Sequence, residues 1–171
     1  AILGVVGMTS FSAPYGSFID TSTVVAVPNV AATVLFNGVN TNSSQVYIGA
    51  PTSRIYITNS GIYNYQYSLQ LTNSAAQINT ITVWIRQNGV DIVASSSEVN
   101  LPVKRGVSNS ATILSVNYLI PVQAGDYIEL MYVANDAAVS LATIPARVTA
   151  PIYPQAPAAI LTLAFVSALP A

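Results

Sequence analysis

The segment Ser60–Leu71, with the sequence SGIYNYQYSLQL, decides the fold because apolar and polar side chains alternate along it without a break. Successive side chains of a strand point to opposite sides of the pleat, so this alternation predicts one half-buried β-strand. One face would carry Tyr63, Tyr65, Tyr67, Leu69 and Leu71, and the other Asn64, Gln66, Ser68 and Gln70. The inferences that follow depend on what covers these two faces.

Strand and turn signals alternate along the rest of the chain. In the segment 78–87, Ile81, Val83 and Ile85 share one face, and the Asn88-Gly89 dipeptide that follows is a strong hairpin signal. Further strands are predicted at 111–122, 127–134 and 159–166, whereas 95–110 is predicted as a polar loop and 145–157 as an extended connection. No segment has the helical period. The pattern predicts an all-β antiparallel fold, and we expect a sandwich of eight to ten strands.

The sequence predicts an N-terminal apolar arm, 1–23, followed by a single domain, 24–171. The arm has no clean period but is too apolar to be a solvated tail, so it should lie on a neighbour or on its own domain. An edge strand that completes the protein's own sheet is an equal alternative. Neither the arm nor the apolar segment 158–168 is long enough to span a bilayer, so no membrane partner is predicted.

Charged residues make up 6% of the chain and the net charge is −1, against about 25% charged residues in ordinary globular proteins. Without a basic patch, binding to nucleic acid through phosphate neutralisation is not expected. Little charge remains to keep copies apart, since a net charge near zero favours association. Either a monomer covers itself with uncharged polar side chains, or much of the surface is covered in an assembly; we favour the assembly.

Catalytic chemistry is not expected. The chain has no His and no Cys, and Lys104 is its only lysine, so the usual general bases and nucleophiles are missing. Asp126 and Glu129 are three residues apart, which places them on opposite faces of a strand. A calcium site built on Asp126 and Asp136 matches no known loop spacing. The sequence therefore predicts no enzyme, no metal and no cofactor.

Trp84 and Arg86 lie opposite the apolar face of the segment 78–87. Trp, Tyr and Arg are the residues that most often anchor interfaces, so these two are predicted to lie at a subunit contact. Asn64, Gln66 and Gln70 are expected to face the same way and to add uncharged hydrogen bonds. In the alternative, this sheet is covered on both sides within the monomer.

An aromatic strand, a strand that ends in Asn-Gly, a strand with a Gly-Asp turn and a final apolar strand follow one another in the chain: SGIYNYQYSLQL, ITVWIRQNGVDI, LIPVQAGDYIELMYV and AAILTLAFVSA. Over about residues 30–168, this order resembles the C1q/TNF-like superfamily. The resemblance implies an antiparallel jelly-roll sandwich and a compact homotrimer that buries one sheet near the three-fold axis. The predicted subunit contact would then be the trimer interface.

Within that superfamily, the low charge, the absence of Cys and the short non-collagenous arm are most similar to small trimeric phage virion proteins. The resemblance implies a non-enzymatic capsid decoration (cement) protein that stabilises a phage head and is located in the virion. The arm would contact the capsid or another virion protein through Ile2, Leu3, Val5, Val6, Met8 and Phe11. One alternative is the receptor- or glycan-binding tip of a phage fibre, which would use the polar loops 72–77, 95–110 and 135–138. Another is an exosporium-like surface protein, although the chain has no Gly-X-Y stem.

Overall fold

The computed structural model describes residues 12–170, which form two seven-stranded sheets packed face to face. Sheet A contains β1 (Tyr15–Asp20), β2 (Val24–Val25), β4 (Gly38–Asn42), β7 (Gly61–Asn73), β11 (Ser110–Val122), β13 (Val139–Leu141) and β14 (Ala159–Ser167). Sheet B contains β3 (Ala32–Thr33), β5 (Val46–Ile48), β6 (Ile55–Ile57), β8 (Asn79–Gln87), β9 (Val90–Asp91), β10 (Ser97–Leu101) and β12 (Tyr127–Ala134). Eight of these strands have five residues or more. The predicted all-β antiparallel sandwich is confirmed.

β7 is the central strand of sheet A. It pairs with β11 along its whole length on one side, and with β14 and then β13 on the other. Its predicted apolar face is buried throughout, as the sequence indicated, by Tyr63, Tyr65, Tyr67, Leu69 and Leu71. These side chains pack in one core with the inward side chains of sheet B, including Ile81, Val83, Ile85, Ile128 and Leu130. Large aromatic side chains on one long strand thus supply much of the apolar area that holds the two sheets together.

The predicted boundary at residue 23 is not a boundary of the sheet. β1 lies inside the segment 1–23, yet it pairs with β14 on one side and β4 on the other, and its Phe18 is fully buried. For Tyr15–Asp20 the alternative therefore holds, because this stretch completes the protein's own sheet. It is an interior strand and not the edge strand considered from the sequence.

Two other segments differ from their predicted form. The predicted loop 95–110 contains β10, which pairs with β8 at the edge of sheet B. The predicted connection 145–157 belongs to a hairpin, in which Ile144 pairs with Ala156 and Arg147 with Tyr153. Both segments are polar or proline-rich, so their composition does not predict a strand. They pair because a neighbouring strand supplies the hydrogen bonds and the packing.

Two neighbouring tyrosines of β7 differ in how their hydroxyl groups are satisfied. The Tyr63 hydroxyl donates a hydrogen bond of 2.8 Å to the Asn59 carbonyl oxygen. The Tyr65 hydroxyl is buried without a hydrogen-bond partner among the described residues, and burial raises the pKa of Tyr65 well above its usual value. A buried polar group without a partner costs free energy, whereas a satisfied one contributes a little.

We therefore expect Tyr63→Phe to lower the free energy of unfolding by about 0.5–1.5 kcal/mol through loss of one hydrogen bond. The matched variant Tyr65→Phe should leave stability unchanged or raise it, because it removes only an unpartnered hydroxyl. Urea unfolding of the two variants and the parent measures both values. An equal loss in both variants would contradict the assignment.

Candidate functional site

The outer face of sheet A is a broad surface without charge, which we call the neutral face. It consists of the outward side chains of β1, β14, β7 and β11: Tyr15, Ser17, Ile19, Ile160, Thr162, Ala164, Val166, Ile62, Asn64, Gln66, Ser68, Gln70, Thr72, Ala111, Ile113, Ser115, Asn117, Leu119 and Pro121. None of these side chains is ionisable except Tyr15. Isolated apolar side chains are exposed among the polar ones, with Ile113 62% and Leu119 65% exposed.

Strand register sets the rows of the neutral face. One row crosses four strands through Asn117, Gln66, Thr162 and Ser17. The next row runs through Leu119, Asn64, Ala164 and Tyr15. Directly opposed residues of neighbouring strands lie side by side, so amide and hydroxyl groups alternate with small apolar groups across the surface. Such a surface can form hydrogen bonds with another protein surface and be buried against it without removing a charge from water.

The outer face of sheet B is different in character, and we call it the aromatic face. Tyr47 stacks on Tyr56 with ring centroids 5.7 Å apart, and Tyr56 contacts Tyr127 at 5.5 Å. The Arg54 guanidinium lies over the Tyr127 ring, 4.3 Å from its centroid. Aromatic rings in a row beside a guanidinium group are a common composition of recognition surfaces.

Glu129 anchors the middle of the aromatic face. Its carboxylate is buried, accepts a hydrogen bond of 2.7 Å from the Ser53 hydroxyl and lies 3.6 Å from Arg54 Nε. Arg86 of β8 lies directly opposite Glu129 of β12 in the strand register. The carboxylate is therefore occupied in positioning neighbouring side chains, which gives Glu129 a structural role.

Asp91 of β9 holds the two side chains that the sequence singled out on β8. Its Oδ1 accepts hydrogen bonds of 2.8 Å both from Trp84 Nε1 and from Arg86 Nε. The Arg86 guanidinium first and the Trp84 ring N–H second lower the pKa of Asp91. The sequence reasoning missed Asp91, although a signal was present: the two-residue turn Asn88-Gly89 fixes the hairpin register and so places Asp91 opposite Arg86.

The predicted interface residues do not form one surface. Trp84 and Arg86 point outward from sheet B, whereas Asn64, Gln66 and Gln70 point outward from sheet A, on the opposite side of the sandwich. The expectation that all five face the same way is therefore wrong. The physical reason is that β7 and β8 are consecutive in the chain but join different sheets, so their outward faces are opposed. The role of each set in a subunit contact stays a prediction.

The six predicted capsid-contact residues, Ile2, Leu3, Val5, Val6, Met8 and Phe11, lie outside the described residues. Their role stays a prediction as well.

The carboxylates considered for catalysis or metal binding do not converge. Asp126 is a turn residue that accepts hydrogen bonds from Gln87, Asn88 and the Gln123 backbone N–H. Asp136 follows the other end of β12, roughly 25 Å away at about 3.3 Å per strand residue, so the two carboxylates cannot share a calcium ion. Within residues 12–170, no group of three or more His, Cys, Asp or Glu side chains is placed to hold a metal ion.

A cavity of about 240 Å³ opens between β11 and the segment after β9. Its lining is mainly apolar or amide in character, and its one ionisable side chain, Tyr118, donates its hydroxyl to the Ser95 carbonyl oxygen. Such a lining offers no acid–base pair, and the one serine hydroxyl in it, that of Ser95, donates to the Ile92 carbonyl oxygen. No helix in the described part of the chain is long and apolar enough to cross a membrane.

Because Trp84 is the only tryptophan in the chain, its fluorescence reports on Asp91. The Asp91 pKa is lowered, so the carboxylate and its hydrogen bonds persist at and above the ordinary value of 3.8 and are lost as pH falls through the lower folded value. We expect an acid transition of Trp84 emission with a midpoint below pH 3.8 that disappears in Asp91→Asn. The control Glu98→Gln, on the neighbouring β10, should retain it. Persistence of the transition in Asp91→Asn would show that another group is responsible.

Comparison with known proteins supports the fold. No protein-family model matches the chain, and no curated protein sequence matches it. Among solved structures, the globular domain of the zebrafish complement 1qA protein superposes with a TM-score of 0.55 at 12% sequence identity, over 92% of this chain and 100% of that chain. The predicted jelly roll is thereby confirmed, and this chain has the C1q-like globular jelly-roll fold.

Proposed function

We propose that the chain is a non-enzymatic structural protein that forms a homotrimer through its neutral face and, as a trimer, decorates and stabilises a phage capsid. The observation that carries the assembly is the neutral face itself. A surface four strands wide without carboxylate, ammonium or guanidinium groups, but with Ile113 and Leu119 exposed, is suited to burial.

Rotational symmetry strengthens the argument. Around a three-fold axis each residue near the axis meets its own copies, so a charged side chain there would face two like charges. The charges of sheet B, such as Arg54, Arg86 and Asp91, lie on the opposite outer face and escape this repulsion. The charge distribution thus favours sheet A, rather than sheet B, as the contact.

β11 supplies a second argument. It is a 13-residue strand at the edge of sheet A and pairs only with β7. A long edge with unpaired backbone groups is prone to unwanted pairing unless something covers it. A neighbouring copy in a closed assembly would cover it and prevent open-ended growth.

The state of the carboxylates and the residue composition argue against catalysis. All six side-chain carboxylates of the chain lie within residues 12–170, and each accepts a hydrogen bond from another group of the chain. The sequence has no His and no Cys. The C1q-like fold by itself assigns no activity, since function lies in sites and not in folds.

The mass of the purified chain by light scattering tests the assembly, and a value three times the 17.9 kDa chain mass is expected. Gln66→Glu, in the middle of the neutral face, should raise the trimer dissociation constant at least about tenfold because three carboxylates would be brought together. The control Asn100→Asp makes the same chemical change on the outer face of sheet B and should leave the trimer intact. A monomeric parent, or equal effects of both substitutions, would contradict the proposal.

The proposed role in the virion is supported by the resemblance to small phage virion proteins and by the apolar residues of the segment 1–11. Those residues are proposed to contact the capsid. β1 is part of sheet A, so an informative deletion ends at residue 11 and leaves Phe18 in the core. A deletion through residue 20 would remove an interior strand.

We expect the deletion of residues 1–11 to abolish binding to undecorated phage capsids in a co-sedimentation assay. The shortened chain should still form a trimer, with its mass lowered only by the deleted residues. Equal capsid binding by the deleted and full-length chains would contradict the role of the arm.

The aromatic face favours a second candidate function, the receptor- or glycan-binding tip of a fibre. Tyr47 is 42% exposed at the end of the row of rings. If this candidate holds, the trimer will bind host-cell glycans in an array, and Tyr47→Ala will reduce that binding. The parent chain will then not co-sediment with phage capsids. An exosporium-like surface role would likewise leave capsids unbound.

A further inference from the structure

A hairpin interrupts the strand that lies next to β7. β13 ends at Leu141, opposite Leu71, and β14 begins at Ala159, opposite Leu69. Residues 142–158 leave the sheet between these points. The interruption faces a single β7 residue, Gln70.

Gln70 closes the sheet across the insertion. Its backbone N–H donates to the Ala158 carbonyl oxygen, and its carbonyl oxygen accepts from the Ala142 N–H, both at 2.9 Å. The backbone of β7 is therefore satisfied at this point by the two bases of the hairpin. The remainder of the hairpin is not needed to complete sheet A.

The hairpin nevertheless has a defined conformation. Ile144 and Ala156 exchange backbone hydrogen bonds of 2.9 Å in both directions. Arg147 and Tyr153 exchange another pair, of 2.9 and 3.2 Å. Prolines restrict the backbone at positions 145, 151, 154 and 157. The segment is a protruding element with limited conformational freedom, so less entropy is lost when it binds.

Large apolar side chains are held in solvent on this hairpin. Val148 is 86% exposed and Ile152 76% exposed, with Tyr153 partly exposed beside them. Between residues 142 and 158 the only ionisable side chains are Arg147 and Tyr153, and there is no carboxylate. An ordered apolar protrusion of this kind indicates a contact surface.

We propose that this hairpin packs on the neutral face of a neighbouring copy and clasps the trimer together; the inference rests on the proposed trimer. The hairpin leaves sheet A beside Gln70, whose backbone bonds to both of its ends. The inner side of the sheet is filled there by the core residues Leu69 and Leu71, so the exposed hairpin protrudes on the side of the neutral face. Any assembly through this face therefore places the hairpin beside a neighbour.

The surface around the root has matching chemistry. Ile113 of β11 lies directly opposite Gln70 in the strand register and is 62% exposed. An apolar hairpin and an uncharged face with exposed aliphatic groups can bury one another without leaving a charge unpaired. A positively charged partner would need carboxylates on the hairpin, and the hairpin has none. A negatively charged partner would need several cations there, and the hairpin has only Arg147.

The double substitution Val148→Ser/Ile152→Ser tests the clasp by sedimentation over a range of concentrations. We expect the trimer dissociation constant to rise at least about tenfold, because two buried apolar contacts are lost. The control Val90→Ser removes an exposed valine of β9, in sheet B, and should behave as the parent. Circular dichroism checks that the fold is kept, as the exposure of both side chains in the single chain leads us to expect.

The outcomes separate the two proposals. If the parent is monomeric at all concentrations, the proposed trimer is wrong and the clasp falls with it. If the parent is a trimer and the double variant dissociates like the parent, the clasp is overturned and the trimer stands. An equal loss in Val90→Ser would also overturn the clasp, since the effect would not be specific to the hairpin.

Cross-linking gives an independent test, because the chain contains no cysteine. Val148→Cys and Ile113→Cys are made in separately tagged chains, which are co-expressed and then oxidised. We expect a covalent species that carries both tags, which can form only between copies. The pair Val90→Cys and Ile113→Cys is the control and should give none. Absence of the mixed species from folded trimers of the first pair would overturn the proposed contact.

Discussion

Burial of the alternating face of β7 is the constraint on which the rest of the structure depends. Three tyrosines and two leucines on one side of this strand need a facing layer to cover them, and the inward residues of β8 and β12 in sheet B provide it. The same alternation turns the amides and hydroxyls of β7 outward. The core and the neutral face are therefore two consequences of one period-two pattern.

The two outer faces divide the chain's few charges unevenly. Sheet B combines its tyrosine rings with Arg54, Arg86, Asp91 and Glu129, which form the ion pairs Arg54–Glu129 and Arg86–Asp91. The strands of sheet A turn no formal charge outward. Of the two outer faces, only that of sheet A can be buried without separating charges from water.

Sheet A also shows how an insertion can protrude from a sheet without disturbing its pairing. A single residue of β7 bonds to both ends of the hairpin 142–158, so the pairing on either side continues in the same register. The sheet fixes the root of the hairpin, while proline and two pairs of backbone bonds fix its form. An element of this kind can acquire apolar residues at little risk to the core, since its side chains lie outside it.

The sequence by itself determined the most regular local features of this protein: the long strands β7, β8, β11, β12 and β14, the side chains of β7 and β8 that point inward, and, through Asn88-Gly89, the residues that meet in the hairpin. These follow from side-chain alternation and turn chemistry, which act over a few neighbouring residues. Only the tertiary structure decided which sheet each strand joins. That choice placed Trp84 and Gln66 on opposite faces, made Tyr15–Asp20 an interior strand and brought Arg54 over Tyr127. It depends on pairing and packing between residues far apart in the chain, and no local pattern encodes it.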